Sequence, residues 1–100
     1  MIYEIRTYRI APGSLSEVEK RFGEGYEHRK EYSELTAFWH TEIGPLNEIV
    51  HVWAYSSLDQ RARVRAEAVQ NGVWPPPGGR DRLLTQENKI LLPSAFSPLQ

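Results

Sequence analysis

One hundred residues, twelve basic against thirteen acidic, net charge −1 and no cysteine already rule out several classes. A chain this short is one domain, residues 1–100, burying about two thirds or less of the surface its unfolded form exposes, so a partner would help it. A net charge near zero and acids interspersed among the bases suggest neither disorder nor a nucleic-acid footprint nor an acidic tail. The lack of cysteine removes disulfides, thiolate nucleophiles and cysteine-held metals, and is compatible with a reducing compartment.

The chain opens on Ile2 to Ile10, rich in Ile and Tyr and alternating from its first residues. Such a stretch is a strand, with Tyr3, Ile5 and Thr7 on one side and Glu4, Arg6 and Tyr8 on the other. It holds no apolar run able to act as a signal peptide or membrane span, so the expectation is a soluble, cytoplasmic protein without membrane insertion. Ala11-Pro12-Gly13 ends the strand, and Ser14-Leu15-Ser16-Glu17 reads as a capping box. The helix that follows should run to about Tyr32, with Leu15, Val18, Phe22, Tyr26 and Arg29 forming its inner stripe.

Glu34 to Tyr55 is a β-hairpin: two runs of β-branched and aromatic residues, 34–43 and 47–55, flank Gly44-Pro45-Leu46. Both sides of both runs carry large apolar groups, so the hairpin should be covered on both faces. Ser57-Leu58-Asp59-Gln60 starts a second helix, about Leu58 to Asn71, with Leu58, Ala62, Ala66 and Val69 inward and the arginines largely solvated. Asn71-Gly72 stops it, and 73–80, crowded with Pro and Gly, is a loop or flap. A last strand spans about Leu83 to Leu92, and the tail after Pro93 contains Phe96, which reads as buried.

The order β-α-β-β-α-β with right-handed crossovers gives an α+β, ferredoxin-like fold. Its four-stranded antiparallel sheet has order 4-1-3-2, with both helices on one face. Two helices leave the opposite face bare, so a second copy of the chain is expected to cover it as a symmetric homodimer.

Three separated stretches now gain a further meaning. Glu4-Ile5-Arg6-Thr7-Tyr8 with Pro12-Gly13, the run Gly44 to Trp53, and Asn88-Lys89-Ile90-Leu91 through Phe96-Ser97-Pro98 resemble the NIPSNAP family in the same order and over nearly the whole chain. The resemblance implies subunits paired as a dimeric α+β barrel. It implies no particular reaction. Animal relatives are discussed in connection with mitochondria and vesicle traffic, while the wider superfamily includes cofactor-free monooxygenases, haem-degrading enzymes and lactone isomerases.

The residues themselves offer few chemical constellations. If Gly44 lies opposite Asn47, His40 faces His51 across the hairpin, with Glu42 and Trp53 on the same side. Such a set suits proton transfer, with His40 or His51 as acid or base and Glu42 orienting it. The favoured reading is plainer: half-buried strand residues hydrogen-bonded to backbone or water at the dimer interface, because the set lacks the spacing signature of a metal-binding helix. No metal and no cofactor are expected. Trp53, Tyr55 and Trp74 could line a ligand pocket, Trp74 by closing from its loop, and Arg65 could meet a carboxylate or a substrate anion. Arg61, Arg63 and Arg65 cannot share one stripe, which argues against a phosphate or nucleic-acid site. Two functions fit: a small dimeric binding or structural module, and, as the alternative, a cofactor-independent monooxygenase or isomerase acting on a planar or apolar substrate near the hairpin.

Overall fold

The computed structural model describes residues 1–75 and 80–100. Its elements are β1 (Ile2–Ile10), α1 (Leu15–Arg29), β2 (Glu34–His40), β3 (Glu48–Tyr55), α2 (Leu58–Gln70), a short 3-10 turn (Arg80–Arg82) and β4 (Leu83–Leu91). All strand pairs are antiparallel, and the sheet order β2-β3-β1-β4 is 4-1-3-2 read from the other edge. This is the ferredoxin-like α+β arrangement that the element order requires.

Alternation sets the two faces. On the helix-facing side Ile2, Glu4, Arg6, Tyr8 and Ile10 of β1 meet Tyr55, Trp53, His51 and Ile49 of β3 across the ladder. Two clusters fill the space beneath the helices, one around Tyr8, Ile10, Val18, Phe22 and Ile49, the other around Trp53, Tyr55 and Val64. Trp74 packs against both and joins them. The α1 stripe matches its periodicity, with Val18, Phe22 and Arg29 buried and Leu15 and Tyr26 half-buried.

Four local expectations are corrected. The hairpin loop is longer than a Gly-Pro-Leu turn: β2 ends at His40, the Thr41 N–H bonds the Glu48 carbonyl, and Gly44 (φ 125°) and Asn47 (φ 61°) turn the chain between them. Asn tolerates that left-handed geometry better than other residues with a side chain. The second helix is rolled about its axis. Its buried residues are Val64 and Ala68, flanked by half-buried Arg61 and Arg65, whereas Leu58 and Val69 are each 61% exposed. The cause is Glu4, fully buried on β1, because a carboxylate in that position costs several kcal/mol unless cations reach it. Phe96 is 92% exposed, and the tail instead returns to the sheet through the Tyr3 hydroxyl, which donates to the Gln100 carbonyl at 2.6 Å. The flap expected at 73–80 falls partly on 76–79, outside the described residues.

The fourth correction concerns the caps. Ser57 accepts from the Gln60 N–H at 3.1 Å, and the Gln60 side chain accepts from the Ser56 N–H, so the α2 start is closed as expected. Ser14 makes no side-chain cap because the chain enters α1 already in helical backbone geometry, and the Glu17 carboxylate, the other half of the expected box, is drawn to Arg21 at 2.8 Å. Ser57→Ala should therefore lower stability by about 1 kcal/mol and Ser14→Ala by a few tenths at most. Urea unfolding of the two variants checks the contrast; equal losses would contradict the cap assignment.

Candidate functional site

The hairpin register decides where the histidines go. His40 pairs with Ile49, and Phe38 takes the place across from His51, with a bulge between Leu35 and Ala37. His40 and His51 thus lie on one face but diagonally, and Glu42 sits in the loop beyond the strand. The His40 side chain turns towards α1 and meets Glu19 at 3.0 Å. No group of three or more His, Asp or Glu side chains able to hold a metal occurs among the described residues.

His51, 1% exposed, is enclosed by rings. Phe38 stacks on it at 4.9 Å, while Tyr8, Phe22 and Trp53 approach edge-on. The Trp53 Nε1–H donates to His51 Nδ1 at 2.7 Å. Indole can only donate, so Nδ1 must offer a lone pair and the neutral ring carries its proton on Nε2. That Nε2 has no hydrogen-bond partner among the described residues. Burial, aided by the Arg6 charge, pushes the imidazole down to about 3, although Glu4 opposes it. At neutral pH His51 presents a buried N–H donor rather than a base.

Trp53, Tyr55 and Trp74 come together around a different group, Arg29. This guanidinium is 1% exposed, lies 4.6 Å from the Trp53 ring and 5.0 Å from the Trp74 ring, and donates to the Tyr55 hydroxyl at 3.1 Å and to Ser33 at 3.2 Å. It makes no ion pair among the described residues. Burial draws its pKa below the ordinary value and the Tyr55 interaction opposes this, but a guanidinium keeps its charge. The aromatic faces supply the compensation that a carboxylate would otherwise give.

A second polar centre lies alongside, built on Glu4. Arg61 grips both carboxylate oxygens through Nε at 3.1 Å and Nη2 at 2.7 Å. Arg6 Nη1 at 2.9 Å and Asn88 Nδ2 at 2.8 Å share Oε2, and Arg65 Nη1 stands 3.8 Å from Oε1. Arg6 Nε also donates to the Tyr8 hydroxyl at 2.7 Å. Burial works to raise the Glu4 carboxyl, yet the hydrogen bonds from Arg61 and Asn88 and the charges of Arg6 and Arg61 outweigh it and hold the group down to about 2. One anion faces three cations here, so the centre carries a local positive excess.

Of the residues singled out by sequence, Arg65 belongs to the Glu4 centre, Trp53, Tyr55 and Trp74 to the Arg29 cage, and His51 to the ring cluster that shares Trp53. His40 and Glu42 stand apart from all of these. Sequence reasoning passed over Glu4, Arg6, Arg29, Arg61 and Asn88 as site residues. A signal existed: Glu4 and Arg6 interrupt the otherwise apolar side Ile2, Tyr8, Ile10 of β1, and Arg61, Val64, Arg65 and Ala68 follow the i, i+3, i+4, i+7 spacing of one helix face. A surface concavity of about 460 Å3 lies elsewhere, lined by Arg21, Glu24, Gly25, His28 and 71–73, and takes in none of the sequence candidates.

Comparison with known proteins places this geometry. A putative antibiotic biosynthesis monooxygenase from Nitrosomonas europaea superposes with a TM-score of 0.75 over 93% of this chain and 98% of that one; at 12% identity this is a likeness of fold alone. A solved structure from Agrobacterium tumefaciens is 45% identical, with a TM-score of 0.93 and full coverage of both chains. The Dictyostelium discoideum protein NipSnap homolog is 37% identical over 94 residues, 92% of this chain and 42% of its own length. The chain spans less than half the length of the curated relatives it matches. With a NIPSNAP model matching residues 3–98 as well, the chain belongs to the NIPSNAP family.

Proposed function

We propose that the chain works as a homodimeric binding module for a small ligand, without a cofactor, in the cytoplasm. The observation that carries the reading is the sheet face turned away from the helices. Ile5, Val50, Val52, Ala37 and Trp39 share that face by register, and Trp39 is 60% exposed. Apolar surface of this kind on β1, β3 and β2, bordered on β4 by Lys89 and Glu87, marks an interaction site, and a two-fold axis lets one such face cover its own copy. About 800 Å2 per partner makes a stable interface, so the whole four-stranded face would have to take part. No helix among the described residues is long and apolar enough to cross a membrane.

Sedimentation equilibrium tests the assembly. The expected result is twice the chain mass at micromolar concentration, and a shift to single-chain mass in Val52→Glu, which places an unpaired charge at the centre of the contact. A wild-type protein of single-chain mass across that range would sink the reading. Circular dichroism of the variant separates dissociation from unfolding.

A second reading is a small-molecule enzyme of cofactor-independent monooxygenase or isomerase type. It is favoured by His51, whose buried Nε2 donor lacks an acceptor inside a ring of aromatic side chains. In that reading His51 orients or polarises a planar substrate by donation, since its Nδ1 is committed to Trp53.

A further inference from the structure

We propose that the arginines gathered over Glu4 form a binding site for a small oxyanion, a carboxylate or a phosphate ester, with Arg65 as the group that engages it. The inference rests on the binding-module reading and names its ligand class. Glu4 itself is saturated: Oε2 accepts from Arg6, Arg61 and Asn88, and Oε1 from Arg61. It holds the arginine forks in place but cannot neutralise them. Arg65 is held beside the carboxylate at 3.8 Å, beyond hydrogen-bond reach, and spends none of its guanidinium donors on a hydrogen bond among the described residues. A planar fork with unspent donors is the geometry that takes carboxylate or phosphate bidentately.

The site is open to a ligand. The side chains of Arg6, Arg61 and Arg65 are 14%, 24% and 32% exposed, so the arginine cluster reaches the solvent-facing surface. The neighbouring strand β4 turns Gln86, Asn88 and Ile90 to the same side, opposite Tyr8, Arg6 and Glu4, and all three are exposed. Polar amides and an apolar residue therefore flank the cations along that edge. Next to Arg6 in the ladder stands His51, whose buried Nε2–H is a further donor without an acceptor. All these groups lie on the helix side of the sheet, away from the face assigned to the second copy, so dimerisation leaves the site accessible.

The test is a titration of isotope-labelled full chain with benzoate and, separately, with inorganic phosphate, following the arginine Nε–Hε resonances against chloride at equal ionic strength. The expected result is a saturable shift at Arg61 and Arg65 with at least one of the two anions, weakened about tenfold or more in Arg65→Met. Arg65→Lys, which keeps the charge without the fork, should weaken it as well. Response to benzoate alone assigns a carboxylate ligand, and response to phosphate alone a phosphate ester. No shift beyond that of chloride with either anion, or unchanged affinity in folded Arg65→Met, overturns the proposal. Sedimentation of the same samples keeps the two readings apart: a dimer indifferent to anions removes the ligand class, and an anion-binding single chain removes the dimer.

Discussion

Glu4→Ala is expected to destabilise the chain by about 3 kcal/mol, near the lower end of what breaking a buried ion pair costs. The loss does not come from a cavity. It comes from Arg6, Arg61 and Arg65 left as mutually repelling cations around the site of the missing carboxylate, with Asn88 also deprived of its acceptor. Because the three arginine side chains are partly exposed, they can swing outward, which holds the cost below the upper limit for such a pair. Glu4→Gln keeps the shape and one acceptor oxygen, and should cost less. Urea unfolding reads both variants, and a Glu4→Ala loss below about 1 kcal/mol would show that the centre is a solvated cluster after all. The same group supplies an acid-sensitive contribution. Its folded pKa, about 2, lies below the unfolded value, so this stability is fully present above the unfolded carboxylate range and is lost as pH falls through about 2.

A larger pH effect is expected from His51, and in a different window. The folded imidazole titrates at about 3 and the unfolded one at about 6.5, so between these values the unfolded chain binds a proton that the folded chain refuses. Stability is therefore full above about 6.5 and declines on acidification towards about 3. At about 1.36 kcal/mol per pKa unit the full decline is on the order of 4–5 kcal/mol. Glu4 does not contribute until pH falls below the unfolded carboxylate range, so the interval between about pH 4.5 and 6.5 separates His51 from Glu4. In His51→Gln the slope across that interval should flatten, even if the variant is less stable throughout because the ring contacts with Tyr8, Phe22 and Phe38 are lost. Unfolding free energies measured at closely spaced pH values decide it. A slope that His51→Gln leaves unchanged would mean that the imidazole is hydrated and titrates normally.

Much of the architecture can be read from local pattern. β1 alternates from Ile2, α1 shows its stripe from Leu15 to Arg29, and Asn71-Gly72 ends α2, because strand alternation, helical spacing and turn chemistry act over a few residues. The site is less legible. Apolar residues alone select Leu58, Ala62, Ala66 and Val69 and miss the face that is buried, since two of its four residues, Arg61 and Arg65, are arginines. A short turn would set His40 across from His51, but the left-handed residues Gly44 and Asn47 shift the pairing by two. Parity survived the shift, so the two histidines stay on one face without meeting.

The sequence alone determined which segments are strands and helices, their order, and hence the ferredoxin-like topology, because each of these follows from interactions between near neighbours in the chain. Only the tertiary structure decided which charges are buried and what they touch. Glu4 and Arg61 are 57 residues apart and Glu4 and Asn88 are 84 apart. Whether a carboxylate at such a position is solvated or enclosed depends on the cations that distant elements bring to it, and no local pattern carries that information.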